Sequence, residues 1–187
     1  MTRAVVFDEF GGPGVLSVRD TVVPAPGEGE VRVAVTHAGL NPVDYKIFHG
    51  GPVAGAFGAS LPGGNGNDFA GVVEAVGPGV TEFSPGQRVL GGRRFEAQAE
   101  HLIATPDQLL PIPDGVDDTV AASLWIAGRT ALASVAAVSP GPGDTVLVSA
   151  AAGGVGVIVT QLALRAGARV IGTVGASNED FLRSLGA

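Results

Sequence analysis

Residues Thr145 to Gly156 read Thr-Val-Leu-Val-Ser-Ala-Ala-Ala-Gly-Gly-Val-Gly, and they constrain the fold more than any other stretch. A β-branched run, Thr145 to Ser149, leads into a small-residue turn. Apolar Val157, Val159, Leu162 and Ala163 then recur at helical spacing. Strand, tight turn and helix in that order are what a dinucleotide pyrophosphate requires. Ala151, Ala152, Gly153, Gly154, Val155 and Gly156 fit the G-x-G-x-x-G/A fingerprint, with Ala in place of the first Gly. Gly153 lets the backbone approach the phosphates, and Gly156 lets the helix pack close to its strand. A helix over about Gly154 to Ala166 would present unpaired N–H groups and its positive end to the anion.

The chain contains 30 Gly, so a Gly-rich window alone means little. Context strengthens it. Pro140-Gly141-Pro142-Gly143-Asp144 forms a turn before the strand, Arg165-Ala166-Gly167-Ala168 closes the helix, and Arg169 to Val174 reads as a second apolar strand. The pattern is one βαβ unit; the alternative is a Gly-rich turn in some other parallel α/β protein. The net charge of −7 argues against sequence-independent nucleic-acid binding. No apolar run reaches membrane-spanning length and no signal-peptide pattern opens the sequence, so the expected location is cytoplasmic. The absence of Cys excludes disulfides and thiolate metal sites.

The period changes near residue 115. Before it, Ala4–Phe7, Val31–Thr36, Gly71–Val76, Arg88–Leu90 and Ala97–Ala104 are strand candidates separated by Gly/Pro turns, which suggests a compact barrel or sandwich. Gly50 to Gly66 reads as a long loop. After it, Val120 to Val138 is apolar at helical spacing, with Asp117, Asp118 and Thr119 as caps, and reads either as one helix or as two broken at Gly128. A β domain over residues 1–115 is therefore expected to precede an α/β domain over 116–187.

Several ordered motifs carry a family resemblance: Asn41-Pro42-Val43-Asp44, Gly66 to Val73 (Gly-Asn-Asp-Phe-Ala-Gly-Val-Val), Val76-Gly77-Pro78-Gly79-Val80, Pro85-Gly86-Gln87-Arg88-Val89, Gly128-Arg129-Thr130-Ala131 and Ala151 to Gly156. Together they resemble the zinc-independent quinone oxidoreductase branch of the medium-chain dehydrogenase/reductase superfamily. The resemblance implies an N-terminal GroES-like β-barrel domain and a truncated Rossmann dinucleotide-binding domain, with the active site in the cleft between them. Zinc-dependent relatives have a Cys near Asn41 and a His where this chain has Asn67. With no Cys, and only the isolated His37, His49 and His101, no zinc is expected.

The implied reaction is hydride transfer from NADPH to a quinone or other conjugated carbonyl, whose delocalised charge needs no metal. By resemblance, Asn41 and Asp44 line the nicotinamide and substrate pocket, and Thr130 lies beside the carboxamide. Tyr45, the sole tyrosine, is a candidate proton donor or stacking ring; the competing reading is a packing residue. NADPH is preferred over NADH because Thr173 and Ser177 occupy the region where an NAD enzyme places an acid. Arg129 stands where the family has an apolar residue, and is expected in a solvent-facing or internal ion pair. The rivals are an enoyl reductase of the same fold and a non-catalytic NADPH-binding protein. The sequence stops at Ser184-Leu185-Gly186-Ala187 after two of the six strands usual for this fold. The expectation is therefore a fragment or truncated product, or an apolar face covered by a partner; the homodimer the family suggests would lack its edge strands.

Overall fold

Alternating apolar and polar residues draw the amino-terminal part into antiparallel strands, with Val31 and Val33 buried on one face. The computed structural model describes residues Met1–Ala187, which form two compact units, Met1–Ile126 and Ala127–Ala187. The first unit contains β1 (Thr2–Phe7), β2 (Ser17–Thr21), β3 (Val31–Gly39), α1 (Pro42–Phe48), α2 (Gly51–Phe57), β4 (Gly63–Gly64), β5 (Asp68–Val76), β6 (Arg88–Gly92), β7 (His101–Ala104), β8 (Leu109–Pro111) and α3 (Asp118–Ala121). A five-stranded antiparallel sheet has the order β7-β3-β5-β6-β8, and a three-stranded one the order β2-β1-β4. Val31, Val33, Phe69, Val73, Val89 and Leu102 fill the main core. Phe7, Ile47 and Phe48 form a second cluster that seats α1.

α4 (Leu124–Val138) leads into the second unit, followed by β9 (Thr145–Val148), α5 (Gly154–Arg165), β10 (Arg169–Gly172) and α6 (Glu179–Ser184). β9 and β10 pair in parallel, with Leu147 opposite Ile171. Val148, Ala151, Ala163, Val170 and Leu182 are buried on one face of the pair. On the other face Leu147 and Ile171 are exposed, as a two-stranded parallel piece requires.

Three elements differ from the sequence expectation. The expected loop over Gly50 to Gly66 contains α2 and the short β4. Pro52 presets the first turn of α2, and Gly58 ends it in the left-handed region at φ 72°. Of the two readings for Val120 to Val138, a break at Gly128 is excluded, because α4 runs through it. The break lies earlier, at Ala122–Ser123; one glycine costs a helix only about 1 kcal/mol, which a 15-residue helix absorbs. Strands β2 and β8 were not apparent in the sequence, since most of their residues are exposed and the alternation is weak.

The turn after β9 shows which glycine sets the packing. A Cβ on Gly156 would lie 2.2 Å from the Ala150 carbonyl oxygen, whereas one on Gly154 would meet nothing within 4 Å. Gly156→Ala is expected to destabilise the protein by about 1–3 kcal/mol through overpacking, and Gly154→Ala to leave it unchanged or slightly stabilised. Thermal unfolding followed by circular dichroism checks this; equal melting temperatures for the two variants would contradict the packing assignment.

Candidate functional site

At the end of β3 the chain turns into α1 through Asn41-Pro42-Val43-Asp44. Asn41 has extended backbone (φ −119°, ψ 149°) and Pro42 sits in the first turn, where a missing N–H costs nothing. The Asp44 carboxylate reaches back to accept the Asn41 backbone N–H at 2.7 Å. These four residues are therefore a helix start rather than a free-standing Asx turn.

Asp44 is buried, and its second carboxylate oxygen accepts the side-chain amide of Asn67, itself buried just before β5. Asp44 thus fastens α1 to the head of β5. Burial raises its carboxyl above the usual range, and the Asn41 N–H and Asn67 amide act against that rise. Asp68, the first residue of β5, is fully buried. One of its oxygens accepts the Ile126 N–H at 3.1 Å, in the first turn of α4. Desolvation pushes the Asp68 carboxyl up to about 6; the Ile126 N–H and the Asn41 side chain lower it, and the Asp44 charge raises it. Two buried atoms in this group lack a partner: Asn41 Nδ2, a donor, and Asp68 Oδ1, an acceptor.

The structure thus brings Asn41 and Asp44 together with Asn67 and Asp68, which residue pattern alone does not single out as site residues. The available signal is two consecutive polar residues heading an apolar strand, where burial demands partners. Tyr45 follows Asp44 on α1 but is half exposed, edge-on to His49 at 6.1 Å between ring centroids. Thr130 and Arg129 are exposed on α4, and the Thr130 carbonyl accepts the Ser134 hydroxyl at 2.8 Å. A hollow of about 560 Å³ in the first unit lies against β1, β2 and residues 93–99 and includes none of the Asn/Asp group.

In the second unit, Ala150 takes a positive φ of 52° and Gly153 starts α5 with extended backbone. The first intrahelical bond is donated by Val157 to the Gly153 carbonyl at 2.9 Å, so α5 leaves the N–H groups of Gly154, Val155 and Gly156 unpaired within the helix. Ala151 is buried, Ala152 and Val155 are half-buried, and Gly153 and Gly154 are exposed. Thr173 holds this turn: its carbonyl accepts the Ala151 N–H at 3.0 Å and its hydroxyl the Ala150 N–H at 3.2 Å. Ser177 lies exposed in the short helical turn Ala176–Asn178. Along β10 runs a cavity of about 510 Å³ lined by Thr173, Ala176, Glu179 and Arg183 among others, in which Arg183 pairs with Glu179 at 2.7 Å.

The buried acid has a consequence for stability. Its folded-state pKa of about 6 lies above the ordinary 3.8, so the folded protein binds the proton more tightly than the unfolded chain. Stability is then expected to fall as pH rises from about 4 to about 6 and to level off above, by about 3 kcal/mol for this group. Asp68→Asn should flatten that fall in denaturant titrations across the window; an unchanged slope would contradict the assignment.

The family profile of the alcohol dehydrogenase GroES-like domain matches residues 27–114. The quinone oxidoreductase of Rattus norvegicus is 36% identical over 178 residues, which cover 94% of this chain and 53% of the relative. Among solved structures, the quinone oxidoreductase from Coxiella burnetii aligns with TM-score 0.92 and 38% identity, over 100% of this chain and 60% of the other. The CurK enoyl reductase aligns with TM-score 0.92 and 28% identity, over 99% and 57%. The Escherichia coli quinone oxidoreductase complexed with NADPH aligns with TM-score 0.87 and 30% identity, over 99% and 56%. The chain thus spans about half the length of the curated relatives it matches. No helix is long and apolar enough to cross a membrane. The ordered motifs, the β unit followed by a parallel βαβ unit, and these matches agree: nearly all of this chain is similar to quinone oxidoreductases of the medium-chain dehydrogenase/reductase type.

Proposed function

We propose that the chain contributes to an NADPH-dependent oxidoreductase that reduces a quinone or another conjugated carbonyl without zinc. The observation that carries this reading is the turn from Ala150 to Gly156. At its end the N–H groups of Gly154, Val155 and Gly156 are unpaired within the 12-residue helix they begin, and Gly154 leaves space where a side chain would stand. Ala151, Ala152, Gly153, Gly154, Val155 and Gly156 would hold the pyrophosphate, with Thr173 fixing the turn from behind. Arg183, paired with Glu179, lines the cavity along β10, and Ser177 lies in the helical turn that follows; Thr173 stands at the strand end where an acid would bind a bare ribose hydroxyl, which favours a 2′-phosphate. The reduced nicotinamide supplies the hydride when bound.

The first unit would provide the acceptor side. Asn41 would meet the reacting partner, and Asp44 would hold Asn41 in place through its backbone N–H. Tyr45, half exposed beside them, would stack on a flat acceptor or pass it a proton. Thr130 on α4 would contact the carboxamide. Support for a metal-free reaction comes from the donor chemistry. The Asn67 amide points an N–H at Asp44, an arrangement that repels a cation, and no three His, Cys, Asp or Glu converge. The enoyl reductase reading keeps all of these roles and changes only the acceptor; the likeness to the CurK enoyl reductase favours it as the second reading.

Fluorescence titration and turnover test the proposal. NADPH is expected to bind more tightly than NADH and to be oxidised by a benzoquinone faster than by an enoyl thioester. Gly154→Asp, which places a carboxylate at the turn with no steric conflict, should weaken NADPH binding at least about tenfold, or 1.4 kcal/mol, without changing the melting temperature. Faster turnover of the thioester would favour the enoyl reductase, and binding without reduction of any acceptor would favour a non-catalytic role. No NADPH binding would overturn the reading.

A further inference from the structure

Two orphaned atoms lie in one buried group. Asn41 Nδ2 is a donor with no acceptor, and Asp68 Oδ1 is an acceptor with no donor. They belong to side chains close enough for Asn41 to favour the ionised form of Asp68. The other carboxylate, Asp44, already has a donor on each oxygen, the Asn41 N–H and the Asn67 amide. Asp68 has a donor on only one, the Ile126 N–H. A buried polar atom without a partner costs about 1–3 kcal/mol, so a small rotation that closes this gap is favoured.

We propose that Asp68 is a positioning residue that fixes which way round the Asn41 amide sits. The buried carboxylate draws the Asn41 NH2 inward, leaving the carbonyl oxygen Oδ1 as the atom Asn41 offers to a ligand. Asn41 then recognises its partner as a hydrogen-bond acceptor, selecting an N–H or O–H donor such as a carboxamide or the hydroxyl of a reduced acceptor. The same carboxylate holds the first turn of α4 through Ile126, and Thr130 lies one helical turn further along. Asp68→Asn can keep the bond to Ile126 through its own oxygen, but its NH2 would then face the Asn41 NH2, donor against donor.

This rests on Asn41 being a site residue, yet its test needs no turnover. In ¹⁵N-labelled protein the Asn41 side-chain NH2 resonances are identified by their loss in Asn41→Ala. They are expected to shift with pH around a midpoint near 6, as Asp68, with Asp44 as its one charged neighbour, takes up a proton. In Asp68→Asn that titration should disappear, while the Asn67 NH2 pair, bonded to Asp44, stays in place. Asp68→Glu, which retains a carboxylate, should restore a titration at Asn41. Asn41 resonances that ignore pH in the unaltered protein, or that titrate unchanged in Asp68→Asn, would overturn the proposal. A protein that shows the coupling but reduces no acceptor would leave this inference standing and remove only the reductase reading.

Discussion

The bond between the Asp44 carboxylate and the Asn67 amide is the constraint on which the first unit's candidate site depends. It joins the helix start after β3 to the head of β5, two segments brought together only by the sheet. Without it, one buried oxygen of Asp44 would be left without a donor, and a carboxylate there would lose one of the two N–H groups that solvate it. With it, α1 leaves β3 in a fixed direction, Asn41 is held by its backbone N–H, and Phe48 and Ile47 can seat against Phe7. Polar groups here do what a metal does in other sites. They converge, each oxygen of Asp44 is bonded within the group, and they set the geometry before any ligand arrives.

The second unit is organised by close approach rather than charge. Ala150 adopts a left-handed backbone, its carbonyl crowds the Gly156 position, and Thr173 stitches the turn to the end of β10 with two hydrogen bonds. Helix α5 therefore begins tight against the turn, with the N–H groups of its first residues unpaired within the helix. A preorganised turn of this kind suits an anion, because its backbone need not reorganise to receive one.

The sequence makes the second unit legible and the first only in outline. Thr145 to Gly156 carries its strand, turn and helix in local residue types, so the βαβ unit and its boundaries can be read within a residue or two. Asn41 and Asp44 can be placed through the ordered motifs, but their partners cannot. Asn67 and Asp68 reach them across the sheet, and Asp68 meets Ile126 across 58 residues of chain, a pairing that no local period encodes. α2 was hidden because glycine and proline, ordinarily breakers, here serve as its start and stop. The reading of a helix break at Gly128 has the same origin, since one glycine inside a long helix is a small penalty that packing overrides.

In the absence of ligand, the hydrogen bonds of Asp44 hold α1 and the head of β5 together. A double-mutant cycle between Asp44 and Asn67 measures this most directly, using Asp44→Ala, Asn67→Ala and the double variant in ligand-free denaturant unfolding. A hydrogen bond to a buried charge predicts a coupling of about 1.5–3 kcal/mol, with the double variant less unstable than the sum of the single ones. Single effects that add, with no coupling, would show that the two side chains do not hold the site together.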